Sequence, residues 1–332
     1  MANIGEFQWQ PTASRETLVA RAQILADIRL FFAERGVLEV ETPILSTAAA
    51  TAPHLHSLTA FYQGPCFPKG QQLFLHTSPE HGMKRLLAAG SGSIYQIARV
   101  FRNGEAGQRH NPEFSLLEWY RLGFDHLALM EEVDALLTLL LATSEGEYLT
   151  YQEVFFHYLA LDVFTVTTCL LGQIAQSYGL QIYTAAGESQ RQMYLDFLMT
   201  TIVEPQLGHE RPCFIYDYPI AEAQLAQIRP ATKSSPVPVA ERFEVYVKGM
   251  ELANGYHELR DFSEQCQRFK ADLACRKQLG LAEVPIDEYL LAALDQGLPD
   301  CAGVALGIDR LLMLRLGSTH IEEVLAFPID RI

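Results

Sequence analysis

The segment IYQIARVFRNGEAGQRHNPEFSLLEWYR, residues 94–121, decides the expected fold. Two runs rich in aliphatic and aromatic residues, 94–102 and 113–121, flank a polar stretch at 103–112. Such runs, separated by Asn, Gly and Pro, are typical of β-strands joined by a loop, and strands joined directly pair antiparallel. The segment therefore predicts a long antiparallel hairpin.

Helical segments surround this hairpin. Apolar residues recur at three- and four-residue steps within 15–35 and 125–142, the pattern of an amphipathic helix. At 78–80, the order Ser-Pro-Glu predicts a helix start: a capping hydroxyl, a proline in the first turn and an acid near the positive end of the helix dipole. Strands and helices do not alternate regularly. We therefore expect an α+β fold with an antiparallel sheet, not a doubly wound parallel sheet.

Composition limits the class of protein. The chain has 332 residues, 49% hydrophobic and 20% charged, which disfavours intrinsic disorder. With a formal charge of −15, the chain lacks the excess of basic residues that is typical of proteins that bind long nucleic acids. No apolar run approaches the roughly 20 residues that span a bilayer, and the N-terminus has no signal-peptide pattern. Six scattered cysteines without a Cys-x-x-Cys pair indicate reduced thiols and a cytoplasmic protein.

The hairpin loop gathers charged residues around one turn. Arg102 and Arg109 present planar forks of donors that suit a phosphate or a carboxylate, with Glu105 and His110 between and beside them. Loops collect charge in any case, so a solvated hairpin tip is the alternative interpretation.

Two further stretches carry possible chemistry. Glu251 and Glu258 stand seven residues apart, and a turn or bulge at Asn254-Gly255 would bring them onto one side, where they could hold Mg²⁺ with substrate phosphates. The segment 303–310, GVALGIDR, is a glycine-spaced strand entering a helix with Arg310 in its first turn, an arrangement that favours anions. Exposed glutamates and a tight packing turn are the respective alternatives.

Ser78, Glu80 and Tyr120 form a fourth, weaker set. A glutamate at a helix start satisfies the helix dipole without any further role. Tyr120 shares strand parity with Phe114 and Glu118, and a glutamate on that face is unusual for a purely apolar core. This parity suggests a polar pocket on the hairpin.

Taken together, these segments match a family. Residues 101–103 with 109–114 resemble the second motif of class II aminoacyl-tRNA synthetases, in the form that lysyl-tRNA synthetases use. Residues 36–43 resemble the first motif, whose proline lies at a dimer interface, and 307–310 resemble the third. Residues 251–259 are similar to the lysyl enzymes' metal and substrate strand.

The resemblance covers about residues 15–332 and implies one class II catalytic domain over 1–332, with a mostly helical insertion around 145–210. Only about fourteen residues precede the first helix, so we expect no N-terminal barrel that reads an anticodon. In this the chain resembles the elongation factor P lysine ligases, and the stretch 241–255, ERFEVYVKGMELANG, is especially similar to that family.

The resemblance implies an AMP-forming ligase that activates (R)-β-lysine with ATP and Mg²⁺ and transfers it to a lysine ε-amino group of elongation factor P. Implied partners are that factor, a small lysine isomer and a second copy of the chain; a membrane and tRNA are not expected. Arg102 and Arg310 are the implied catalytic residues, for the α- and γ-phosphates, and Glu251 and Glu258 the implied metal ligands. The implied ATP-binding residues are Arg102, Asn103, Gly104, Asn111, Phe114, Glu251, Leu252, Gly307 and Arg310. The implied substrate-binding residues are Ser78, Pro79, Glu80, Tyr120, Glu258 and Ala305.

Two positions depart from the family pattern. Gly104 stands where the family has glutamate, and Glu105 follows it, so a nucleotide contact is either lost or supplied by Glu105. Ala305 stands where lysyl-tRNA synthetases have glycine, and its extra methyl group fits a β-amino isomer.

Three other functions stay open at the level of sequence. A tRNA ligase remains possible if the acceptor stem alone suffices. An ammonia-dependent asparagine synthetase has the same type of fold, but its acidic substrate calls for more positive charge than Glu80 and Glu258 allow. A catalytically silent paralogue is disfavoured because both Arg102 and Arg310 are present.

Overall fold

The structure is a computed structural model that describes residues 9–180, 188–232 and 236–332. Residues 181–187 of the predicted helical insertion therefore lie outside the described part. The helices are α1 (Arg15–Glu34), α2 (Glu80–Ala88), α3 (His126–Leu141), α4 (Tyr151–Leu159), α5 (Thr168–Ser177), α6 (Glu188–Leu198), α7 (Phe262–Gln278), α8 (Glu288–Gln296) and α9 (Ile308–Leu316). The strands are β1 (Leu38–Glu39), β2 (Leu45–Ser46), β3 (Thr59–Gly64), β4 (Phe67–Leu75), β5 (Ile94–Phe101), β6 (Glu113–Leu122), β7 (Glu147–Thr150), β8 (Cys213–Pro219), β9 (Ile228–Arg229), β10 (Val239–Val247), β11 (Met250–His257) and β12 (Cys301–Gly307).

Two compact units make up the chain. The first unit runs up to Gly123 and resumes from Arg260 to Ile332, and the second unit is Phe124–Leu259. In the first unit, the strands lie in the order β1-β5-β6-β12, with β1 parallel to β5 and the other pairs antiparallel. A smaller antiparallel sheet, β2-β4-β3, belongs to the same unit.

The predicted hairpin is confirmed as β5 and β6. Its two faces differ because side chains alternate along a strand. On one face, the ring of Phe32 from α1 stacks on Tyr95 at 4.5 Å and meets Trp119 edge-on at 5.3 Å. Phe32 is fully buried there, a contribution of about 1.5–3 kcal/mol to folding. The opposite face carries Phe114, Leu116, Glu118 and Tyr120.

The predicted helix at 15–35 is α1. Ser14 caps its start by accepting a hydrogen bond from the Thr17 backbone N–H (3.1 Å). Its apolar face buries Ile24, Ile28 and Phe31 along with Phe32.

The second unit contains a second set of paired strands. They lie in the order β7-β8-β10-β11, with β9 also pairing with β10; β7 and β8 are parallel and the other pairs are antiparallel. Helices α4, α5 and α6 supply much of its apolar core, around Tyr151, Phe155 and Tyr218. Helix α3, capped by Asp125, confirms the predicted helix at 125–142.

Both units combine helices with mostly antiparallel strands, so the predicted α+β class is confirmed. None of the six cysteines, all of which lie in the described residues, forms a disulfide bond. Within the described ranges, no helix is long and apolar enough to cross a membrane.

Candidate active site

Arg102 follows directly on β5. Its backbone N–H donates to the Pro112 carbonyl (2.8 Å), which closes the base of the hairpin loop. Its guanidinium carbon lies 5.0 Å from the ring centre of Phe114, and its Nη1 lies 3.8 Å from a carboxylate oxygen of Glu105. The buried Nε of Arg102 has no acceptor among the described residues. An unfilled buried donor beside an aromatic face fits a nucleotide phosphate with its base.

The loop backbone explains the departure at Gly104. Its φ is +86°, in the left-handed region that glycine adopts without strain. Nothing lies within 4 Å of the position of a Cβ there, so backbone strain rather than crowding disfavours a side chain. The carboxylate that reaches Arg102 is that of Glu105. The backbone N–H of Asn103 donates to the His56 carbonyl (2.7 Å), which holds this part of the loop.

Arg310 reaches the same loop from α9. Its Nη2 lies 2.7 Å from the Nε2 of His110, and its Nε donates to the Arg109 carbonyl (3.4 Å). Because a guanidinium only donates, the His110 Nε2 must accept, so this imidazole is neutral. Burial, aided by the positive charge of Arg310, lowers the pKa of His110 and agrees with that assignment. The structure thus brings Arg102 and Arg310 to one loop.

Asn111 serves that loop structurally. Its Nδ2 donates to the Glu113 carbonyl (2.7 Å), and its Oδ1 accepts from the Ile329 N–H (3.0 Å). The side chain is buried. Its expected contact with ATP stays a prediction.

Glu118 lies on β6, paired with Gln96 of β5, away from the loop that carries Arg102. Its Oε2 accepts from the Ser78 hydroxyl and its Oε1 from the Tyr120 hydroxyl, both at 2.7 Å. Glu118 is 3% exposed and Tyr120 is 2% exposed. Both carboxylate oxygens of Glu118 therefore accept a hydrogen bond from a hydroxyl group. A buried carboxylate held in this way is suited to an ammonium group.

Ser78 also starts helix α2. Its Oγ accepts from the Glu80 backbone N–H (3.0 Å), and Pro79 occupies the N-cap position. The Glu80 carboxylate lies 2.6 Å from the ammonium group of Lys84, one helical turn further on. The Lys84 side chain is buried. Glu80 therefore compensates a buried charge of the protein itself. Its expected contact with substrate stays a prediction.

Strand β12 flanks Glu118. In the pairing of β6 with β12, Ala305 is the direct partner of Glu118 and Gly307 is the partner of Leu116. Directly paired residues point to the same face, so the Ala305 methyl group stands beside the Glu118 carboxylate. At Gly307, the nearest protein atoms to a Cβ are the carbons of Arg310, at 3.7 Å or more. Packing therefore does not require glycine there, which agrees with a ligand lying against the backbone.

The remaining predicted residues belong to the second unit. Glu251 and Leu252 lie in β11, and Glu258 follows its end, paired with Ala226 in an isolated bridge. Leu252 and Glu258 are buried, and Glu251 is half-buried.

The predicted turn or bulge at Asn254-Gly255 is wrong in its position. Both residues pair regularly with β10, and the register shifts earlier, between the pairs Val245–Ala253 and Tyr246–Glu251. Leu252 is therefore the extra residue of a β-bulge. One extra residue reverses strand parity, so the bulge puts Glu251 on the same face as Asn254 and, at the end of the strand, Glu258. Glu251 and Glu258 thus lie on one side of the strand, as expected, but the bulge at Leu252 is the cause and not Asn254-Gly255.

The donor set suits a magnesium ion that is completed by phosphate. No cluster of three or more His, Cys, Asp or Glu side chains forms a ready metal cage in the described ranges. Mg²⁺ is typically bound by one or two carboxylates together with substrate phosphates. Glu251 and Glu258 can supply the two carboxylates.

Comparisons with known proteins place this chain among its relatives. A family model described as tRNA synthetases class II (D, K and N) matches residues 7–331. A Vibrio cholerae protein named elongation factor P–(R)-β-lysine ligase is 54% identical over 97% of this chain and 98% of its own length. Proteins of the same name from Vibrio vulnificus and Pasteurella multocida are each 51% identical over 97% of this chain and 98% of their own lengths.

The fold and the motif-bearing loop define a class II aminoacyl-tRNA synthetase-like catalytic domain, and hence an ATP-dependent ligase. Within that class, the chain belongs to the family of the elongation factor P–(R)-β-lysine ligases.

Sequence reasoning missed two residues of this site. The sequence marks Glu118 only as unusual on its strand face, and the signal that assigns it is an acid between Leu116 and Tyr120 on a face otherwise made of hydrophobic and aromatic side chains. His110 lies within the second motif, but the sequence gives it no role, because its hydrogen bond with Arg310 joins residues 200 positions apart.

Proposed function

We propose that this chain activates (R)-β-lysine with ATP as an aminoacyl-adenylate and transfers it to the ε-amino group of a lysine on elongation factor P. The names of the relatives support the substrate and the acceptor. The observation that carries the chemistry is the single strand β6, with Phe114 near Arg102 at its start and Glu118 further along.

The spacing on β6 suits an adenylate. Phe114 and Glu118 are four residues apart on one face, about 13 Å at 3.3 Å per residue. A base on Phe114 and an ammonium at Glu118 thus leave room between them for the phosphate and the carboxylate of the amino acid. Ser78 and Tyr120 orient the Glu118 carboxylate.

The first step joins two anions, so their repulsion must be offset. The substrate carboxylate attacks the α-phosphate and pyrophosphate leaves; Arg102 binds the α-phosphate and Arg310 the γ-phosphate. A bound Mg²⁺, with Glu251 and Glu258 as its protein ligands, would neutralise further phosphate charge. Catalysis is positioning and charge neutralisation without a covalent enzyme intermediate. In the second step, the acceptor amine attacks the acyl carbonyl and AMP leaves.

The rival substrates are disfavoured by the same pocket. An acidic amino acid, as an asparagine synthetase would use, meets the buried Glu118 carboxylate and is repelled. Between lysine isomers, the Ala305 methyl group beside Glu118 is the proposed discriminator, because it occupies space that glycine leaves open.

We also propose that the enzyme is a cytoplasmic homodimer. Segment 36–43 carries the motif whose proline lies at the dimer interface in the family it resembles. Around it, Leu30 is 60% exposed, Leu38 56% and Leu45 46%. Apolar side chains so exposed within and beside this motif support a protein contact.

ATP–pyrophosphate exchange tests the first step. We expect exchange with (R)-β-lysine to exceed that with (S)-β-lysine and α-lysine, and Ala305→Gly to narrow the difference. Arg310→Ala should lower the rate of exchange by about 10²–10³-fold or more while leaving the chain folded.

A second assay follows the acceptor. Elongation factor P should gain the mass of one β-lysyl group, whereas tRNA should not be charged. Exchange that is equal for all amino acids, or charging of tRNA in place of the factor, would overturn the proposal.

A further inference from the structure

The carboxylate of Asp309, next to Arg310, joins two distant parts of the first unit. Asp309 is the second residue of α9 and is 2% exposed. Its Oδ2 accepts from the backbone N–H of Ser115 (2.7 Å). The pairing of β6 with β12 ends at Leu116–Gly307, where the chain turns into α9. The Asp309 side chain therefore extends this ladder by one further hydrogen bond.

Arg21 of α1 holds the same carboxylate from the other side. Its Nη2 donates to the Asp309 Oδ1 and also to the Val324 carbonyl (3.0 Å). Its Nη1 donates to the Ser115 hydroxyl (3.4 Å), which also accepts from Arg99 (2.9 Å). A planar guanidinium presents its donors in a rigid fork that reaches these separate acceptors, whereas an ammonium is a compact point charge on a flexible stem.

Two residues that this ion pair holds in place, Ser115 and Asp309, are each next in sequence to a residue that binds ATP in the proposed function. Ser115 follows Phe114, and Asp309 precedes Arg310. The two residues come from separate motifs, and the hydrogen bond from the Ser115 backbone N–H to the Asp309 carboxylate ties the two segments together. A displacement of about 1 Å in such a positioning contact can cost about 10²-fold in rate.

We infer that the Arg21–Asp309 ion pair is a positioning device that fixes Arg310 relative to Phe114 and so sets the binding of ATP. This inference rests on the proposed function. Neither Arg21 nor Asp309 needs to touch the nucleotide; both act through the residues beside them. The consequence is specific to ATP, because the carboxylate that meets the amino-acid ammonium, Glu118, is held by Ser78 and Tyr120 instead.

Two conservative variants test the inference. Asp309→Asn keeps the size and one acceptor for the Ser115 N–H but removes the charge that Arg21 pairs with. Arg21→Lys keeps the positive charge but loses the planar set of guanidinium donors. In pyrophosphate exchange, we expect the KM for ATP to rise about tenfold or more in Asp309→Asn and less in Arg21→Lys, with the KM for β-lysine unchanged.

Asp27→Asn is the matched control. Asp27 of α1 lies 3.9 Å from Arg315 of α9, so it forms an ion pair between the same two helices, but at a partly exposed position. We expect this variant to keep the wild-type KM for ATP, since the pair does not adjoin Phe114 or Arg310.

Arg310→Ala separates this inference from the proposed function. If Arg310→Ala exchanges normally, the proposed phosphate role fails by itself. If Arg310→Ala is inactive but Asp309→Asn binds ATP normally, or loses affinity for ATP and β-lysine equally, the positioning inference is overturned and the proposed function stands.

Discussion

The charge of Glu118 offers the sharpest test of the amine pocket. Glu118→Gln keeps the size of the side chain, and an amide can still bond to the hydroxyls of Ser78 and Tyr120, which both donate and accept. The fold should therefore persist, while the charge that meets the substrate ammonium is lost.

The size of the effect follows from burial. Glu118 is 3% exposed, so solvent screens little of its attraction for a bound cation. Removing one partner of a buried, hydrogen-bonded charge pair typically costs about 2–5 kcal/mol. At 1.4 kcal/mol per tenfold, this is roughly a 30- to 4,000-fold rise in the KM for β-lysine. The KM for ATP should stay near the wild-type value, because Arg102 and Arg310 are unchanged.

The assay is pyrophosphate exchange at saturating ATP with β-lysine varied, beside thermal unfolding of each variant. Glu39→Gln is the matched control, since the Glu39 carboxylate, in the same unit, also accepts a hydrogen bond from a tyrosine hydroxyl, that of Tyr95 (2.9 Å). A normal KM for β-lysine in Glu118→Gln would refute the role of this carboxylate. So would an equal loss of affinity for ATP and the amine.

Three further expectations concern stability, assembly and the loop. Burial raises the pKa of Glu222 to about 7, so the folded chain keeps a proton between about pH 4.5 and 7 that the unfolded chain loses; stability from this group falls as pH rises through 7. Urea unfolding measures the free energy of unfolding of Glu222→Gln and of wild type at pH 5 and pH 8. From pH 5 to pH 8, the stability of the variant relative to wild type should rise by up to about 3 kcal/mol. An equal difference at both pH values would contradict this. Leu30→Lys with Leu38→Lys should give monomers in sedimentation velocity; a persistent dimer would exclude this surface. Gly104→Ala should lower stability by about 1 kcal/mol in thermal unfolding, because φ is +86° there, and an unchanged midpoint would show that the loop relaxes.

Local patterns predicted the elements that carry the site. The hairpin, α1 and the start of α2 each follow from residues within one segment: alternating apolar residues, a 3.6-residue repeat, or a cap such as Ser14. Local sequence was insufficient at β11, where Asn-Gly is a strong turn signal but the ladder with β10 keeps it extended. Strand pairing supplies hydrogen bonds along the whole segment and so overrides a two-residue preference.

The sequence by itself determined the class of the protein, its motifs and the residue types available for phosphate and ammonium binding, because these depend on order and spacing along the chain. Only the tertiary structure decided what each side chain does. It gave Glu118 two hydroxyl donors, paired Glu80 with the buried Lys84, and set Asp309 between Arg21 and Ser115. The physical reason is that a charge acquires its role from the partners that replace water around it, and those partners come from segments far apart in sequence.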